Sequence, residues 1–215
     1  MTAAPEADIA RVEDAQRRFL EAVADLDDEA MLRPSLLPDW TVAHVLTHVA
    51  RNADSHVRRA EAARRGETIE QYPGGYAGRA AEIETGASRP ASAVLEDVRE
   101  SAARLHDAWA SLPDPAWQVV TRDVGGRERP LSALPARRWQ ELEVHVVDLR
   151  VGVTHREWPD EFVRGWLPRL LSDMEGRLPD GSGAPPPGAL DERDELAWLY
   201  GRLQRDDLPV LTPWA

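Results

Sequence analysis

Apolar residues recur every three or four positions through most of the chain, which is the spacing of one face of an α-helix. In the first such stretch this spacing places Ile9, Val12 and Phe19 on one side. Prolines, glycines and N-capping residues end each periodic stretch and so separate one predicted helix from the next. The predicted helices are, in chain order, 7–29, 41–65, 76–84, 91–112, 134–151, 160–177 and 191–205.

Three stretches depart from this periodicity. Residues 117–131 carry β-branched residues on either side of Gly125 and Gly126, which predicts a small two-stranded hairpin. Residues 178–190 are rich in proline and glycine and are predicted to be a linker. The tail is predicted to pack back onto the protein through Leu208, Leu211 and Trp214.

Four long helices joined by one irregular crossover predict a mainly α protein built on a four-helix bundle. We assign the bundle to residues 1–155 and a short C-terminal helical domain, with the linker, to residues 156–215. Trp158, Trp166 and Trp214 are expected in the core rather than at an interface. The sequence leaves open whether the protein is a monomer or a homodimer.

The net charge of the chain limits the kinds of binding partner that we expect. The chain has 215 residues, with 26 basic against 38 acidic ones, for a net charge of −12. A negative field repels phosphate backbones and anionic lipid, so we expect no nucleic-acid and no membrane partner. An anionic small substrate would need a local cationic pocket. The acidic, amphipathic start and the lack of a long apolar run predict a soluble, cytoplasmic protein.

Two residue types are absent from the chain. Without cysteine there is no disulfide, no thiolate metal ligand and no cysteine nucleophile, so any thiol chemistry needs a thiol from outside. Without lysine there is no Schiff-base catalysis and no P-loop, and every cation is an arginine. The abundance of alanine, arginine, aspartate and proline suggests GC-rich coding DNA.

Two predicted helices each carry a pair of possible metal ligands. His44 and His48 are four residues apart on one helix, and Glu141 and His145 are four apart on another. Each pair leaves its helix on one face, so two helices of a bundle can converge on one ion. The alternative is a solvated Glu–His pair, which the surrounding apolar residues disfavour. Spacing alone does not choose between His44 and His48.

Asp148 lies three residues after His145 on the same predicted helix. Its carboxylate could accept a hydrogen bond from the histidine ring, or it could simply bond the helix end. We favour the second interpretation.

Four segments resemble one family. Residues 40–50 (WTVAHVLTHVA) and 138–149 (RWQELEVHVVDL) are similar to the W-t-v-x-x-v-l-x-H-l-a and R-x-x-E-x-x-x-H-x-x-D-L segments of the DinB-like, mycothiol-dependent maleylpyruvate isomerase family. Residues 72–83 (YPGGYAGRAAEI) resemble its Tyr/Gly-rich crossover, which ends in an arginine. Residues 196–202 (LAWLYGR) and 208–214 (LPVLTPW) resemble its closing segments.

The resemblance implies a divalent metal, usually zinc, on His48, Glu141 and His145, with open positions for water or a thiol. It implies mycothiol as the thiol and Arg79 and Arg202 as catalytic and cofactor- or substrate-binding arginines. The implied reaction is conversion of maleylpyruvate to fumarylpyruvate. The expected partners are a low-molecular-weight thiol and a small anionic or electrophilic substrate.

Other interpretations stay open at this point. The same activated thiol would serve a mycothiol S-transferase, the bundle could be a non-catalytic metal-binding stress protein, and a metal-bound hydroxide would serve a hydrolase. Each arginine could also form only a surface salt bridge. Longer relatives carry a small α/β, sterol-carrier-like C-terminal domain, which is expected to be shortened here to the linker 178–190, so Arg202 could be placed differently.

Overall fold

The helical periodicity is realised in a computed structural model, which describes residues 4–186 and 188–212. A two-stranded antiparallel sheet, β1 (Val120–Arg122) and β2 (Glu128–Pro130), forms the predicted hairpin. The α-helices of the described residues are α1 (Glu6–Val23), α2 (Asp28–Met31), α3 (Val42–Arg64), α4 (Gly75–Ala87), α5 (Ala91–Ala110), α6 (Leu134–Asp148), α7 (Asp160–Ser172) and α8 (Glu192–Leu199).

Helices α1, α3, α5 and α6 form the bundle. Helix α3 packs along α5 and also contacts α6, whereas α1 packs mainly along α6. Their apolar faces meet in one core, in which Leu46, Val98 and Leu142 are buried. The predicted mainly α bundle is therefore confirmed. In this bundle α3 and α6 are neighbours, so the helix that carries His44 and His48 lies beside the helix that carries Glu141 and His145.

The prediction of a single first helix over 7–29 is wrong. Helix α1 ends at Val23, and a separate short helix, α2, begins at Asp28. Between them Asp27 is extended, with φ −102° and ψ 179°, and its carboxylate accepts a hydrogen bond from the amide of Ala30. An aspartate at a helix N-cap is non-helical itself, so capping of α2 by Asp27 is incompatible with continuation of α1 through this residue.

The glycine-rich crossover forms a tight turn that starts α4. Gly74 has φ +74°, a left-handed conformation that favours glycine. A Cβ atom on Gly78 would lie 1.9 Å from the carbonyl oxygen of Pro73, so this position admits no side chain. Helix α4 then runs to Ala87, longer than the predicted 76–84, and packs against α3. The turn thereby brings Arg79, in the first turns of α4, close to α3.

The two C-terminal helices are shorter than predicted. Helix α7 ends at Ser172 and is followed by a short 3₁₀ turn at Glu175–Arg177. Helix α8 ends at Leu199, and Gly201 follows with φ +75°, which breaks the helix. The predicted helix 191–205 is thus overlong, and Arg202 lies beyond the helix end.

The C-terminal segment packs on the bundle through aromatic rings. Trp158 is buried and donates its indole N–H to the carbonyl oxygen of Glu143 at 2.7 Å. The amide of Gln140 donates to the hydroxyl of Tyr200 at 3.0 Å, and Phe162 packs against Trp139. These contacts join α6 to the C-terminal segment in one apolar core. The division into two domains stays a prediction.

The remaining predictions for this segment have mixed outcomes. Trp166 and Leu208 are buried, and Leu211 packs against the core. The prediction for Trp214 lies outside the described residues. Residues 156–186 and 188–212 contain no strand. No helix in the described part of the chain is long and apolar enough to cross a membrane.

Candidate metal centre

Three side chains from two helices meet between α3 and α6. The Nε2 atom of His48 lies 3.0 Å from Oε2 of Glu141 and 3.1 Å from Nε2 of His145. The Nε2 atom of His145 lies 3.2 Å from the same Oε2 atom. The three atoms form a nearly equilateral triangle, and the structure thus brings together the three residues that the resemblance implied as ligands.

The helix geometry explains the convergence. Glu141 and His145 are one turn apart on α6, so both project from the same face toward α3. His48 projects from the N-terminal third of α3, with its ring packed edge-on against the ring of His145. Both histidines are buried, while the side chain of Glu141 is 23% exposed. The centre is therefore enclosed on most sides and opens toward solvent beside Glu141.

The donor set and its spacing suit a divalent ion. Two imidazole nitrogens and one carboxylate oxygen are ligands of catalytic zinc sites, which keep a further position for water or substrate. Tetrahedral zinc with such ligands separates neighbouring donor atoms by about 3.3 Å. The three separations here are 3.0, 3.1 and 3.2 Å. The residues present therefore fit a zinc-type centre with an open coordination position.

Electrostatics prepare these groups to act as ligands. Burial lowers the pKa of His48 to about 4, so its ring is neutral and offers a lone pair. Burial alone would raise the pKa of Glu141, but hydrogen bonds with His145 and His48 outweigh it and hold this pKa well below its usual value. The carboxylate is therefore ionised near neutral pH.

Asp148 holds the ring of His145. Its Oδ2 atom lies 2.8 Å from Nδ1 of His145, so the opposite ring nitrogen points into the centre. Our preference for Asp148 as a mere helix-end hydrogen bonder is therefore wrong. The carboxylate is fully buried, and it also accepts two hydrogen bonds of 2.7 Å from Nε and Nη2 of Arg202. Because burial opposes ionisation, these bonds are what keep the pKa of Asp148 lowered.

The two predicted arginines occupy different settings. Arg202 is bound in a two-pronged ion pair to Asp148 and donates through Nη1 to the carbonyl oxygen of Tyr200. Arg79 forms no ion pair with any residue that the structure describes. Its Nη2 atom lies 3.1 Å from Nδ1 of His48. Arg202 is thus linked to the centre through Asp148, whereas Arg79 lies directly beside it.

Two aromatic residues that the sequence analysis did not assign to the site hold Arg79. Its guanidinium carbon lies 5.6 Å from the ring centroid of Trp40 and 5.8 Å from that of Tyr72, within cation–π range. The ring of Trp40 is also 5.6 Å from that of His48. Both aromatic residues stand in the segments that carry the family resemblance, which was the available signal.

The other histidines lie outside the centre. His44 caps α3: its Nδ1 atom lies 2.8 Å from the hydroxyl oxygen of Thr41, and its Nε2 atom faces Glu84 at 3.3 Å. His106 pairs with Glu13 and His155 with Asp194, while His56 is buried against Trp109. The structure therefore groups His48, and not His44, with Glu141 and His145, a choice that helical spacing left open.

A helix bundle with a His/Glu/His centre between two of its helices belongs to the class of metal-binding bundles. Within this class, the chain is a member of the family described as mycothiol maleylpyruvate isomerase N-terminal domain, whose model matches residues 12–150.

Two solved structures are similar over the whole of both chains. They are described as the crystal structure of the mycothiol-dependent maleylpyruvate isomerase and that of a histidine-to-alanine mutant of it; each has a TM-score of 0.84, 21% sequence identity, and covers 100% of this chain and 100% of its own. At this identity the likeness shows the fold. No curated protein matches the sequence.

Proposed function

We propose that the protein is a divalent-metal enzyme that uses mycothiol to convert maleylpyruvate to fumarylpyruvate. The observation that carries the proposal is the triangle formed by His48, Glu141 and His145, which lies in the part of the chain that the family model matches. The chain has no cysteine of its own, so a thiol-dependent reaction in this protein needs an external thiol.

The chemistry starts from the thiol. A divalent ion in the centre supplies positive charge that lowers the pKa of a thiol at the open side, so that thiolate is available near neutral pH. Addition of the mycothiol thiolate to the cis double bond of maleylpyruvate would move the electron pair to the conjugated carbonyl oxygen as an enolate. Rotation about the former double bond, followed by return of the electron pair and loss of the thiolate, would then give the trans product. No atom is gained or lost.

The chain's own residues bind and orient in this scheme. Glu141 and the two imidazoles would hold the ion, and the hydrogen bond from Asp148 would keep His145 turned toward it. Arg79 would bind a substrate carboxylate next to the centre, and its contacts with Trp40 and Tyr72 support this role. A direct substrate contact by Arg202 stays a prediction, and its ion pair with Asp148 supports an orienting role instead.

The test measures metal content and thiol-dependent turnover on the same preparation. We expect about one zinc or similar ion per chain and isomerisation of maleylpyruvate only when mycothiol is added. Retention of the metal with formation of a stable mycothiol conjugate would replace the isomerase by an S-transferase. Hydrolysis of a substrate without added thiol would indicate a hydrolase, and absence of metal would refute the enzymatic proposal.

A further inference from the structure

A fully buried arginine joins three helices of the bundle next to the metal centre. The Nη1 atom of Arg138, on α6, donates to the carbonyl oxygen of Val49 at 2.8 Å and to Oδ1 of Asn52 at 2.9 Å, both on α3. Its Nη2 atom donates to Oε1 of Gln16, on α1, at 3.0 Å. Arg138 is 0% exposed, so these bonds form a direct polar link between α6 and the other two helices inside the core.

This link attaches beside the proposed ligands on both helices. On α6, Arg138 precedes Glu141 by three residues, so the two side chains leave the same side of the helix about one turn apart. On α3, Val49 directly follows His48, and Asn52 lies one turn after His48 on the same face. The bonds of Arg138 therefore connect α3 to α6 about one helical turn from the place where a metal ion would connect them.

The charge of Arg138 is not balanced by an acid. No carboxylate of the described residues forms an ion pair with it, and its Nε atom is buried without a hydrogen-bond partner among them. Burial lowers the pKa of Arg138 to about 10, so the side chain stays charged at neutral pH. A buried charge without a counter-charge is costly, and an apolar side chain of similar volume is often at least as stabilising. What the arginine adds is direction, because its charge-assisted hydrogen bonds fix how far α3 is shifted along α6.

We propose that Arg138 is a positioning residue for the metal centre: it sets the register of α3 against α6, so that His48 lies opposite Glu141 and His145. The inference rests on the proposed function, because it takes these three side chains to be ligands of a divalent ion. A binding site of this kind needs its groups held to within about 0.5 Å of the productive geometry. Loss of the link should therefore weaken metal binding more than it weakens the fold.

The test measures zinc affinity by competition with a chromophoric chelator, in buffer without thiol or substrate. Arg138→Met should bind zinc about 10- to 100-fold more weakly than the unmodified protein, which is the usual effect of removing a residue that orients metal ligands. Arg138→Lys should recover part of the loss, because it keeps a charged donor. The matched control is Arg137→Met. This neighbouring arginine on α6 bonds Gln140 and lies over the ring of Trp166, so zinc affinity should not change.

A variant on α3 tests whether the bond between the two helices carries the effect. Asn52→Leu removes one acceptor of Arg138 and should weaken zinc binding by about 3- to 10-fold. Combined with Arg138→Met, it should cause no further loss, because the bond that it removes is already absent. Additive losses would mean that the two residues act on the centre independently, and they would overturn the proposal.

A destabilised control separates positioning from general stability. Leu170→Ala, in the buried face of α7, should lower the melting temperature of the zinc-free protein by creating a cavity and leave zinc affinity unchanged. Unchanged affinity in Arg138→Met, or a comparable loss of affinity in Leu170→Ala, would overturn the proposal. If Arg138→Met does not fold, Arg138→Lys and Asn52→Leu decide by the same comparison. Absence of zinc binding by the unmodified protein would instead refute the metal centre itself, and the proposed function with it.

Discussion

At the scale of single residues, the geometry of the metal centre depends on which side-chain atoms face one another across α3 and α6. His44 and His48 have the same spacing relation to α3, but only His48 points at α6, because His44 is drawn to the helix cap at Thr41. A sequence shows that two histidines share a face; it does not show which of them lies opposite the glutamate. That choice depends on how far α3 is shifted along α6, which is set by tertiary packing.

The ligand assignment predicts how single-site variants of the histidines and of Glu141 behave. His48→Ala, Glu141→Gln and His145→Ala should each lose the metal and activity, because each removes one of three donors. His44→Ala, His106→Ala and His155→Ala should retain the metal, since these rings pair with other residues. Elemental analysis after dialysis reads the outcome. Metal loss in the His44 variant with full occupancy in the His48 variant would contradict the assignment.

The ion pair between Arg202 and Asp148 predicts an effect on stability. Arg202→Met should lower the free energy of unfolding by about 3 kcal/mol, because it leaves a fully buried carboxylate without its cation. Denaturant unfolding of the metal-loaded protein measures this loss. Adding Asp148→Asn to the same variant should restore part of it, since no buried charge is then unpaired. A double variant no more stable than the single one would argue against this explanation.

At the scale of elements, most boundaries followed from local signals. Thr41 and Gly66 bound α3 as expected, and the glycines at 125 and 126 turn the hairpin. Two of the errors lie where a single polar side chain or a left-handed glycine interrupts an apolar pattern, at Asp27 in the first helix and at Gly201 after α8. The apolar periodicity shows which positions face the core. It can continue across a helix end, so it does not by itself show where one helix stops and the next begins.

The close packing of α4 on α3 predicts a steric effect beside the centre. A Cβ atom on Gly86 would lie 2.3 Å from the Cγ2 methyl of Thr47, the residue before His48. Gly86→Ala should therefore lower the free energy of unfolding by about 1–3 kcal/mol. Thr47→Ser removes that methyl group, so the double variant should recover much of the loss. Chemical denaturation of the three variants tests this, and equal stability of the two alanine variants would refute the proposed contact.

At the scale of the whole molecule, the net charge is negative, whereas several side chains inside the fold carry unpaired positive charge. The chain carries a net charge of −12, yet Arg59 and Arg138 are buried and Arg79 is half-buried, and none of the three has an ion-pair partner among the described residues. The sequence indicated that an anionic substrate would need a local cationic pocket. It could not show which of 26 arginines form one, since pairing with acids is decided by the fold.

This arrangement predicts an unusual salt dependence. An approaching dianion first meets the repulsive outer field, which salt screens, and only later the interior arginines, which salt screens far less. Raising the ionic strength from about 0.01 to 0.15 M should therefore increase kcat/KM for maleylpyruvate. Steady-state assays measure it, with the uncharged diester of the substrate as a control that salt should not affect. A decrease in kcat/KM would show that the interior field dominates at long range.

The ion pair between Arg202 and Asp148 also has a consequence for the order of events during synthesis. The ribosome makes His48, Glu141 and His145 well before Arg202, and at that stage Asp148 has no cation beside it. A nascent chain that has just folded its bundle thus has all three ligands but a loosely held His145. That ring gains its full support only when Arg202 has emerged and paired with Asp148. Metal capture should therefore become tight only after the segment that carries Arg202 has left the ribosome.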